Sequence, residues 1–166
     1  MRRGLLLLAA CGTDGTVELP TPVVTEATGW SAAPVEADPL PDHRPVDDGC
    51  PDGSWGPEGA TLEVETGLCH YAWLEQPLPR AVPLGAVLTA DLWHTGLDAA
   101  EPAEAHVALL LGDRVVWEAW AAIPSDPTLW EIAVVVDEPL LAGELVGLHL
   151  HNHGDNAWTL GPVTIE

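Results

Sequence analysis

Three histidines stand at alternate positions near the end of the chain, His149, His151 and His153. Alternate residues of a strand share one face, so a strand here sends all three imidazoles to one side while Val146, Leu148 and Leu150 point to the other. With the aliphatic side packed inward, the histidines face outward. Imidazoles at ~7 Å steps can supply two ligands to zinc or copper, with His94 or His106 from another strand as a third. The plainer reading is that they hydrogen-bond across a hairpin and pin loop carbonyls.

The eight tryptophans are the second set with chemical potential, in a chain that has no phenylalanine. Indole faces bind sugars by stacking against their CH-rich side. On a strand from Arg114 to Ala122, Trp117 and Trp120 have opposite parity, so an unbulged strand buries one and exposes the other. Trp117 shares its face with Val115, Ala119 and Ile123 and is the core candidate; Trp120 shares its face with Glu118 and is the surface candidate. A ligand groove is therefore expected around His149, His151, Trp120 and His94. Asp47, Asp48 and Asp52 offer hard oxygens for a structural calcium, against the simpler reading of a solvated acidic turn.

Catalytic chemistry is poorly served. Ser31, Ser54 and Ser125 are the only serines and none sits in a GxSxG setting, and no phosphate-cradling glycine loop or dinucleotide fingerprint is present. A non-enzymatic protein is expected.

The elements that must position these residues read as short strands. Leu62 and Val64 alternate with Thr61, Glu63 and Glu65, and further strand signals fall at 69–75, 86–94, 106–111, 114–122, 129–136, 145–152 and 157–165. Gly112-Asp113 between two apolar runs is a two-residue hairpin signal. About eight strands with frequent turns predict an all-β antiparallel sandwich over 49–166, which we expect to be monomeric. Cys50 and Cys69 form the one pair available inside it, and their bridge would contribute roughly 3 kcal/mol by restricting the unfolded chain. Residues 11–48 carry Pro20, Pro22, Pro34, Pro39, Pro41 and Pro45 among acids, without sustained periodicity. They are expected to form a disordered, extended tether, with Trp30 either docked on the domain or exposed.

Residues 1–10 read as a short secretory signal: Met1-Arg2-Arg3 is positive, Gly4 to Leu8 is apolar, and small alanines follow. The sequence Leu8-Ala9-Ala10-Cys11 resembles the bacterial lipoprotein lipobox. That resemblance implies a diacylglyceryl group on Cys11, cleavage before it, and acylation of the new amino group by a palmitate-type chain. The membrane partner would be reached through this lipid, and Gly12, where an inner-membrane retention signal would carry aspartate, favours the outer membrane. The closing segment Leu148-His149-Leu150-His151-Asn152-His153-Gly154-Asp155-Asn156-Ala157-Trp158-Thr159-Leu160, with Val163-Thr164-Ile165, resembles the last strands of galactose-binding-like jelly rolls found in carbohydrate-binding modules. It implies a jelly-roll sandwich that recognises sugars with aromatic and polar side chains.

The charge excludes one class of partner and otherwise reads as a solubilising surface. With 26 acids against 5 basic residues the formal net charge is -21, which repels nucleic acid and anionic surfaces. The sequence thus predicts a lipid-anchored envelope protein presenting a glycan- or protein-binding sandwich. A metal-binding histidine face and a structural envelope role are the alternatives.

Overall fold

Alternation between apolar and polar residues writes most of the strands directly. The computed structural model describes residues 25–40 and 50–165. Eleven strands appear among them: β1 (Ser31–Ala32), β2 (Trp55–Glu58), β3 (Thr61–Glu65), β4 (Tyr71–Pro77), β5 (Val87–His94), β6 (Ala103–Leu111), β7 (Arg114–Ile123), β8 (Thr128–Val135), β9 (Leu145–His151), β10 (Ala157–Leu160) and β11 (Thr164–Ile165). The remaining regular element is a single 3-10 turn, Val35–Ala37.

All pairings are antiparallel and form two sheets. The first, sheet A, runs β1-β4-β9-β6-β7. In the second, sheet B, β5 pairs with β8 on one side and with β10 and β11 on the other, and β3 and β2 follow β10. Leu62, Val64, Leu74, Leu92, Val107, Leu148, Leu150, Trp158 and Leu160 fill the space between them in one continuous core. This is the jelly-roll-like sandwich expected from the strand count. The eight expected strands are present, the last one split into β10 and β11 around Gly161-Pro162-Val163. Gly112, at φ 60°, opens the β6–β7 hairpin in the glycine-first pattern of a tight turn. Cys50 and Cys69 are joined, with Cα atoms 4.4 Å apart.

Residues 25–40 depart from the expected tether, because they pack on the sandwich. Trp30 is buried in the main core, and β1 adds to β4 as an edge strand. The segment is stitched down by Ala33 N–H to Trp73 O (3.1 Å), Gln76 Nε2 to Glu26 O (2.8 Å) and Val163 N–H to Thr25 Oγ1 (3.0 Å). Ala33 and Leu40 cover a small second core of Trp73, Ala108 and Leu110 on the outer side of sheet A. Apolar contact of this kind offsets the ordering cost that the proline-rich composition alone would leave unmet. The signal, Cys11, Asp47 and Asp48 lie outside the described residues.

Candidate functional site

The register of sheet A builds the site one row at a time. Tyr71 lies opposite His151, His151 opposite His106, and His106 opposite Trp120, giving one cross-strand row on the outer face. The next row is Trp73, His149, Ala108 and Glu118. Val146, Leu148 and Leu150 point into the core, as the alternation predicts. The register shift between Leu109 and Leu110 sets Leu109 opposite Trp117 and Leu110 opposite Val115. This bulge turns Val115 to the outer face, away from Trp117, while Trp117 and Val116 pack on the main core.

The histidines are on the expected side of their strand but are not open to solvent. His149 is 0% exposed and His151 2%. Residues 33–40 roof this part of the sheet, and Asp38 closes it chemically: its Oδ2 accepts from Tyr71 Oη (2.9 Å) and pairs with His149 Nδ1 (2.6 Å). The Tyr71 hydroxyl also reaches Leu40 O at 3.0 Å. His153 follows the end of β9, half-buried, its ring 4.8 Å from that of His151. His94 is not part of this face. It sits in the core on the inner side of sheet B, against Trp158 (4.8 Å) and Trp130 (5.5 Å). Burial holds its imidazole below the ordinary pKa, which favours the neutral form, and neither ring nitrogen has a hydrogen-bond partner among the described residues.

Beyond the roof, the outer face opens at Trp120. The indole lies flat on the His106 imidazole, with centroids 3.8 Å apart and planes within 2°. His106 is buried, and its Nε2 is held by Glu118 Oε2 at 3.1 Å. Trp120 is nonetheless 49% exposed, so the ring face turned away from His106 meets solvent. It lines an open groove with His153 and Gly154 on one side and Ala99, Glu101, Pro102 and Glu104 on the other. Asn156 ties the two walls together, its Nδ2 donating to both Asp98 O (3.2 Å) and His153 O (3.1 Å).

No family model matches the sequence, and no curated protein matches it. Among solved structures the chain is similar to the N-terminal cellulose-binding domain of β-1,4-glucanase C from Cellulomonas fimi, at TM-score 0.46 and 16% identity over 89% of this chain and 96% of that one. It is also similar to CBM27-1 of Caldicellulosiruptor saccharolyticus in complex with mannohexaose, at TM-score 0.49 and 10% identity over 87% and 96% of the two chains. A cleaved adhesin domain of Lys-gingipain from Porphyromonas gingivalis gives TM-score 0.49 and 14% identity over 89% and 98%. The likeness stops at the fold.

Of the expected ligand groove, Trp120 therefore stands at a surface, His149 and His151 lie beneath the roof, and His94 belongs to the core. Among the described residues no group of three or more His, Cys, Asp or Glu side chains is arranged to hold a metal ion. Asp52 is exposed in the turn before β2. Asp38, Tyr71, Glu104 and Glu118 were not singled out as site residues from sequence.

Sheet B carries a second polar face, where β3 projects Glu63 and Glu65 beside Glu58 of β2. The hydrogen bond that the protonated Glu63 carboxyl donates to Glu58 is the main reason that Glu63 is raised from 4.5 to about 7; burial and the charges of Glu58 and Glu65 add to it. A carboxyl that holds its proton more tightly in the folded state stabilises the fold fully below its ordinary pKa. That contribution is lost as pH rises through about 7. Glu63→Gln is expected to raise the thermal midpoint at pH 8 and leave it unchanged at pH 4, as read by calorimetry at the two values. An equal shift at both would show that the proton is not responsible.

Proposed function

We propose that this protein is a non-catalytic recognition module that binds a saccharide at the Trp120 groove, presented at the cell envelope by a lipid on Cys11. The observation that carries the reading is the indole held flat on His106 with its other face open. A free Trp in a loop would lose rotamer freedom on binding; this one is already fixed from beneath, so its flat apolar face is preorganised for a pyranose ring. The flanking Glu104 and His153 supply the hydrogen-bonding groups that orient hydroxyls. The lipobox pattern of residues 8–11 supports the anchoring.

Glycan-array screening of the full chain, followed by fluorescence titration with the best saccharide, tests the reading. Trp120→Ala is expected to weaken binding by tenfold or more while leaving the unfolding midpoint within about 2 °C, because half of the ring is already in water. Binding by the variant at wild-type strength, or no saccharide bound by the wild type, would overturn it.

A further inference from the structure

We propose that the Trp120 groove selects a saccharide bearing free amino groups, a cationic amino-sugar chain; this rests on the saccharide reading above and names its ligand class. The groove has one aromatic floor and one acidic wall. Glu101 and Glu104 are exposed along one side, and Glu118, 51% exposed, stands one row along the sheet from Trp120. Neither arginine among the described residues that precede or follow the groove lines it: Arg114 opens β7 and pairs with Asp137, and Arg80 lies between β4 and β5. The groove therefore presents carboxylates and one imidazole around an indole face.

Each part of that arrangement favours positive charge. The face of an indole is the negative side of its quadrupole, and tryptophan is the best aromatic partner of an ammonium group. His106 occupies the inner face of Trp120, so the outer one alone is offered to ligand. A neutral sugar would stack there yet strip water from Glu104 without replacing it by a charge. A uronate or sulfated sugar would meet like charge on the Glu101/Glu104 wall and on a molecule of net charge -21. A protonated 2-amino group offers both the cation–π contact and a charge-assisted hydrogen bond to carboxylate.

The test uses the full chain in calorimetric titrations at about pH 5.5, where sugar amines are protonated. The probes are a fully deacetylated glucosamine hexamer, the N-acetylated hexamer and an oligogalacturonate. We expect the deacetylated hexamer to bind at least tenfold more tightly than the acetylated one, and the galacturonate not to bind. The double variant Glu101→Gln/Glu104→Gln should bring the two hexamers within about twofold of each other. Glu138→Gln/Glu144→Gln, which removes two charges from the exposed β8–β9 connection, should leave the preference intact. If that control removes the preference equally, the attraction is one of net charge and the proposal falls. If the wild type binds both hexamers alike and Trp120→Ala loses both, the amino-sugar selection fails and the saccharide reading stands. If neither hexamer responds to Trp120→Ala, the saccharide reading at this groove fails with it.

Discussion

Asp38→Ala is expected to cost about 3–5 kcal/mol of folding stability, a large part of what a domain of this size has. The carboxylate is fully buried against a His149 side chain that is also fully buried. Its Oδ2 serves Tyr71 and His149, and its Oδ1 accepts from the Leu40 N–H at 2.9 Å. Alanine withdraws the acceptor from all of these donors at once in a place where water cannot easily replace it, and a lost partner of a buried polar group costs roughly 1–3 kcal/mol. The roof formed by residues 33–40 would loosen with it, because Asp38 is its polar anchor and Leu40 its apolar one. Asp38→Asn keeps the shape and one acceptor oxygen, and should lose about half as much. Urea unfolding of the two variants checks the order, and amide exchange at Ala33, bonded to Trp73 O, reports whether the roof opens first. A loss below about 1 kcal/mol in Asp38→Ala would mean that the pair merely compensates its own desolvation.

The same residue shows why part of the site was hidden in the sequence. Among many acids in a proline-rich stretch, nothing local distinguishes Asp38 from neighbours that stay in water; its role is set by Tyr71 and His149, which are distant in the chain and adjacent in space. Composition averages over a segment, whereas Trp30, Asp38 and Leu40 act one at a time. The strands, in contrast, were legible because a half-buried strand repeats every two residues, and the parity of Trp117 and Trp120 followed from that repeat alone. What parity did not give was the partner beneath Trp120. An unbulged hairpin turning at Gly112-Asp113 would set His106 opposite Ala119; the bulge after Leu109 moves the pairing by one residue and brings His106 opposite Trp120. Sequence alternation also placed the histidines on the outer side of β9 correctly, but outer means away from the core, and a covering segment can still bury it.

Gly154→Ala is expected to cost about 3 kcal/mol and to weaken saccharide binding at least tenfold. Gly154 has φ 91°, a conformation that costs an L side chain roughly 1–2 kcal/mol. That penalty is shared by Gly143, at φ 89°, where an added Cβ would meet nothing within 4 Å. At Gly154 the added Cβ would fall 2.0 Å from Asp98 O and 3.0 Å from Ala99 Cα. Both are backbone atoms, so no rotamer change relieves the clash and one wall of the groove must move away from the other. The walls are held close by Asn156, whose Oδ1 accepts from Asp98 N–H at 2.6 Å while its Nδ2 bridges Asp98 O and His153 O. Separating them strains this bridge and shifts the segment that carries Glu101 and Glu104 away from Trp120. Gly143→Ala is thus the internal control: it should cost about 1–2 kcal/mol and leave binding unchanged. If the two variants behave alike in both measurements, the close approach of the walls does not matter to ligand, and the groove is not the working surface.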